Sequence, residues 1–324
     1  MTASILLRRL VSMPYALLLP LLPLAVLCTL GFLYSGPHYR IPEQIPYWVF
    51  FFGLPHILSS FQTICDAEYL ATYRKQALFI LCLFFLPFAL HEMGVPASII
   101  LTPFLILTVH HVIVQQYGIA MSVARLRPSM TSAICKWCTV LLGTVAYFQC
   151  YSATGLDGNE HYGMLMTLAD VLMAPLLAAI AISGGFLVWR ARAQRAGAVL
   201  LALNILLFIF ALMLIFKTQY VLVGLMLARI LHDASGFVVY IGHDTARNRM
   251  ERKNLLYRAF PFLPVWLLNL AFALAIAAVL TYLSSRMTFF GWLVIGITTA
   301  HYYMESFIWR GGTPHRQHFR LSGA

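Results

Sequence analysis

Continuous apolar stretches of about twenty residues recur along this chain, and they restrict its fold more than any other feature. A helical residue rises 1.5 Å, so about twenty of them cross the roughly 30 Å hydrocarbon core of a bilayer. The stretches are continuously apolar, without the two-residue alternation of a membrane barrel. They fall at roughly 11–34, 47–64, 76–90, 98–123, 133–152, 163–189, 197–216, 219–243, 262–283 and 289–309. The expected fold is all-α: a polytopic bundle of about ten transmembrane helices, forming one integral membrane domain over residues 1–324. The tightest boundary is at Lys217-Thr218, where a very short turn must separate adjacent helices. Composition agrees, since 61% of the 324 residues are hydrophobic and 10% are charged.

The net charge of +11 reflects topology rather than a polyanion partner. With the N-terminus inside, eighteen of the 22 Lys and Arg fall in loops or ends on one side. Arg40, Lys217 and Arg286 fall on the other side, and Arg229 lies within a span. This asymmetry places both termini in the cytoplasm and points to a bacterial inner membrane. No loop combines a long basic run with interleaved aromatics, so no nucleic-acid partner is expected. Arg8 and Arg9 before the first stretch read as the start of an uncleaved first helix. The six cysteines are scattered, and Cys135-Lys-Trp-Cys138 is a lone pair without the second pair of a zinc site.

Charged and imidazole side chains are costly within a bilayer and mark working sites. They concentrate in four of the expected spans. One carries Gly53-Leu-Pro55-His56, followed by Ser59, Ser60 and Gln62. Another carries His110-His111 and Gln115. A third carries Arg229, His232, Asp233 and His243, and the last carries His301 and Glu305. In the expected topology all four run in the same direction. Their key histidines lie roughly 13–22 Å from the cytoplasmic edge, close enough in depth to converge. Neutral imidazole is the commonest metal ligand, and several histidines beside a carboxylate suit non-haem iron, with copper or zinc also accommodated.

The expected metal ligands are His56, His111, His232 and His301. His111 is preferred to His110 because Gln115 extends its face. Glu305 is expected as a ligand or base, Asp233 and Gln115 as groups that orient imidazoles, and His243 as a supporting or entrance residue. Arg229 and Asp233 are four apart and positioned to pair along one face. Pro55 is expected to free helix hydrogen bonds and open space beside His56.

The Gly53-Leu-Pro55-His56 element resembles the bacteriorhodopsin-related (Brp/Blh) family of membrane carotene dioxygenases, in which an early Pro-His precedes histidines in later helices. That resemblance implies histidine-bound iron, dioxygen as co-substrate and a lipophilic substrate drawn from the membrane. The chain departs from the family pattern at Ile57-Leu-Ser-Ser60, where the family has glycine and then an acidic or histidine pair. The residues alone leave two other readings open: a proton-coupled transporter using the same His, Asp and Glu residues, and a haem-binding electron carrier.

Overall fold

The computed structural model describes residue 50 and residues 53–152, 160–218 and 220–318. The first expected span and a portion of the second lie outside these residues. The described chain is helical without a strand. Its helices are α1 (Leu54–Ile64), α2 (Ala67–Thr72), α3 (Arg74–Glu92), α4 (Ala97–Val123), α5 (Met130–Ser152) and α6 (Glu160–Arg190). They continue with α7 (Arg195–Lys217), α8 (Val221–Arg247), α9 (Leu255–Arg258), α10 (Val265–Ser284), α11 (Thr288–Ile308) and α12 (Pro314–Gln317).

Seven of these, α3 to α8 and α10, include segments long and apolar enough to cross a membrane. They coincide with the third to ninth expected spans. The tenth, α11, forms a 21-residue helix, but its apolar character falls short of the seven. Three spans contain an interior proline: Pro87, Pro103 and Pro175. Neighbouring helices and local adjustments can compensate for a freed backbone carbonyl at such positions. Thr218 accepts from the Tyr220 amide at 3.1 Å and donates to the Leu214 carbonyl at 2.6 Å, closing α7 and opening α8.

The backbone divides into two compact units, and the division falls within α4 and α8. In the unit comprising Thr108–His232, α6 packs on α5 and on α7. One of its cores joins Ala211 and Leu214 to Val223, Leu227 and Leu231. In the unit comprising Tyr47–Leu107 and Asp233–Arg320, α3 packs along α11 and α1 along α10. Its cores are Ile80, Tyr240, Ala300, Met304 and Ile308 in one place and Leu54, Leu58, Ala273 and Ala277 in another.

Large apolar side chains also face outward, among them Leu78, Leu81 and Phe85 on α3, Leu206 and Phe210 on α7, and Val279 on α10. Water would penalise such exposed surface, whereas lipid solvates it. The polar loops are tied down separately. Asp66 bridges to Asn254, whose side chain donates to the Gln62 carbonyl at 2.6 Å.

Candidate metal centre

The first histidine is set by the start of its helix. Gly53 caps α1 with φ 112, a conformation that favours glycine, and Pro55 occupies the first turn. Pro55 therefore begins the helix rather than breaking it, because a first-turn residue has no intrahelical amide bond to lose. This corrects the expectation that Pro55 would free backbone bonds within a longer span. Every residue of α1 except Phe61 is buried, His56 among them. Its Nδ1 lies 2.9 Å from Asp233 Oδ1 on α8. The alignment falls short of a full hydrogen bond. A carboxylate can only accept, so the contact still favours a proton on Nδ1 and leaves the lone pair on Nε2. Asp233 thus reaches an imidazole on another helix, a partner that its four-residue spacing from Arg229 does not reveal. Gly236, one turn further along α8, keeps this arrangement open: a Cβ there would stand 3.0 Å from His56 Cδ2.

On α11 the His301 ring is fully buried, and its Nδ1 meets Ser60 Oγ at 2.7 Å. The Ser60 hydroxyl proton is directed at the Ile57 carbonyl, 2.5 Å away. The serine oxygen therefore accepts from Nδ1–H, which again leaves the lone pair on Nε2. Glu305, one turn later, sets Oε1 3.9 Å from that Nε2 and has a side chain only 6% exposed. The Trp309 indole donates to the Glu305 carboxylate. His56 and His301 meet edge to face, with ring centroids 5.1 Å apart.

The adjacent histidines of α4 diverge, as a 100° step per residue requires. His110 turns to the Trp137 ring, 5.4 Å away, and is half-buried. His111 is buried and meets His232 edge to face at 4.9 Å. Gln115 lies one turn beyond His111 and is half-buried.

His56, His111, His232 and His301 form one buried group. Each can present one ligating nitrogen, and these four atoms all lie within 4.8 Å of one another. The donor chemistry fits a divalent metal. Four neutral imidazoles supply lone pairs without charge, while Asp233 and Glu305 supply two carboxylates beside them.

His243 belongs elsewhere. It donates from Nδ1 to Asp244 at 3.0 Å, and its Nε2 meets the Tyr69 hydroxyl at 3.2 Å. Its ring stacks on His315 with centroids 5.0 Å apart. His315 in turn lies 3.8 Å from the Tyr69 ring. Arg247 donates to Asp66 at 3.1 Å, to Glu68, and to Nε2 of His318 at 3.1 Å. Arg247 draws the Glu68 carboxyl below its ordinary range by hydrogen bond and charge. Burial, reinforced by His243 and Arg247, pushes His315 down to about 2.

A buried polar lattice beneath α1 was not anticipated from the sequence. Asn269 on α10 accepts from Ser59 and donates to Asp244 Oδ2 at 2.9 Å, and Tyr257 also donates to that carboxylate. Gln62 donates to the Asn269 carbonyl at 2.9 Å. One signal was legible: an asparagine within the otherwise apolar run at 262–283 needs buried partners. Cys135 contacts the Tyr117 hydroxyl at 3.1 Å, and the Cys135 and Cys138 thiols are both free.

The chain matches no protein-family model, no curated protein and no solved structure.

Proposed function

We propose that this protein is a membrane-embedded, metal-dependent oxygenase that acts on a lipophilic substrate, with iron(II) as its metal and both termini in the cytoplasm of a bacterial inner membrane. The observation that carries this reading is the group of four buried histidine nitrogens within 4.8 Å of one another. His56, His111, His232 and His301 would hold the ion. When bound there, iron supplies the redox chemistry needed to use dioxygen on an unactivated carbon framework. Copper and zinc suit imidazole ligands too, and metal analysis separates the three.

The chain's own residues supply the remainder. Asp233 and Ser60 hold protons on Nδ1 of His56 and His301, so both rings present Nε2. Glu305 Oε1, 3.9 Å from His301 Nε2, is placed to take or return a proton at that edge of the centre. Burial of all four rings excludes bulk water. The compact spacing also favours a lone ion over haem, because a porphyrin disc between two of these rings would displace the others.

The test is elemental analysis and an absorption spectrum of detergent-purified protein made with ample iron. Wild type is expected to hold about one iron per chain, without a Soret band, as one four-imidazole site implies. A variant carrying both His56→Ala and His232→Ala is expected to lose it. Wild-type protein that remains metal-free under these conditions would overturn the reading and favour proton-coupled transport.

A further inference from the structure

Within the unit comprising Thr108–His232, a cavity of about 70 Å³ is walled by α4, α5, α7 and α8. This size is below the roughly 300–1,000 Å³ of a site that takes up a whole small molecule, and it suits only a short apolar end, on the order of a few carbons. The wall is almost wholly apolar. Val112, Ala146, Phe208 and Leu212 are representative, and Arg229 is its one charged lining residue. A void so lined offers few partners for water and suits a hydrocarbon occupant.

Its position relates it to the histidines. Ala228 lines the wall one turn before His232 on the same face of α8, and His232 meets His111. Its length is limited. The lining stretch of α5 runs from Thr139 to Tyr147, roughly 12 Å at 1.5 Å per residue. That is room for a segment of a lipid chain rather than a long rigid polyene. The outer faces of α5 and α7 carry exposed Leu141, Leu206 and Phe210, so the cavity is one helix thickness from lipid.

We propose that this cavity seats the apolar end of a single-chain lipid, and that its depth selects which carbon of the chain reaches the histidines. The catalytic meaning rests on the oxygenase reading; the binding does not. A fatty acyl chain and a prenyl chain share the required chemistry, and paired probes distinguish them.

The experiment uses the full chain in detergent, photolabelled separately with stearic acid and with geranylgeraniol, each carrying a diazirine near its apolar end. Metal content is measured in parallel. One probe or both are expected to label peptides containing residues 139–147 or 208–215, and the stronger identifies the chain type. Ala146→Leu, which fills the cavity, is expected to reduce that labelling about fivefold or more through overpacking, with metal content unchanged. Leu212→Ala, which enlarges the cavity, is expected to retain labelling and so separates filling from misfolding. Equal labelling in wild type and Ala146→Leu, labelling confined to lipid-facing positions, or loss in both variants would overturn the proposal. Metal-bound protein that takes no label sinks this proposal alone. Metal-free protein that still labels the cavity sinks the oxygenase reading alone.

Discussion

At the scale of the residue, the centre depends on two small contacts that decide where imidazole protons sit. Ser60 and Asp233 each contact Nδ1 of a histidine, and each leaves Nε2 for a ligand. Groups that support ligands in this way typically change metal affinity by about 10–100-fold when removed. Ser60→Ala is therefore expected to weaken metal binding by about that factor, while Ser60→Thr keeps the hydroxyl and most of the affinity. Competition against a chelator of known affinity measures both, and equal affinity for wild type and Ser60→Ala would refute the role. The sequence made the grouping of the four histidines legible because apolar spans seldom carry histidines at matching depth. It did not make Ser60 legible, since a membrane serine usually bonds its own helix backbone and only tertiary contact shows otherwise. His243 falls outside the centre for a geometric reason. Eleven residues return nearly to the same helix face, but they also move about 16 Å along the axis, beyond reach of a common ion.

At the scale of the element, the short helix α12 shows how little the sequence says about a tail. His315 and His318 lie in a polar segment after the last long helix, yet the His315 ring is fully buried between Tyr69 and His243. The charged groups beside it are Arg247 and His318, with Asp66, Asp244 and Glu68 behind them through Arg247 and His243. An imidazole held at about 2 when docked and near 6.5 when released takes up protons on release, so acid favours release. Docking is fully favoured above about pH 6.5 and weakens by up to about tenfold per unit below it. Hydrogen exchange of residues 313–318 between pH 7.5 and 5.5 is expected to rise on acidification in wild type and to stay flatter in His315→Phe, which keeps the stacking. A pH-independent wild type would contradict this account. The long helices, by contrast, were legible almost throughout, because length and apolar content determine them. The exception, α1, starts at Leu54 because Gly53 and Pro55 define its first turn.

At the scale of the whole molecule, seven helices are long and apolar enough to cross a membrane, and the proposed topology assigns the basic loops to the cytoplasmic side. If α10 spans the bilayer, the loops before and after it face opposite compartments. Cysteine introduced at Lys253 is expected to react with a membrane-impermeant maleimide only from the cytoplasmic side, and cysteine at Ser285 only from the other. Reaction of both from one side would remove that crossing. What no hydropathy pattern reveals is which spans adjoin, because every span presents similar apolar surface to lipid and to its neighbours. The bond from Ser60 to His301 joins residues 241 apart in the chain. That separation has a consequence for biogenesis. At about 5–20 residues per second, Ser60 waits on the order of ten to fifty seconds for its partner to be synthesised. The first helix of the described residues is therefore made while its histidine and Ser60 still lack their companion on α11. Completion of the four-histidine group is thus a late event, tied to arrival of the last long helix, and a chain stalled before α11 would expose its unfinished state to quality-control proteases.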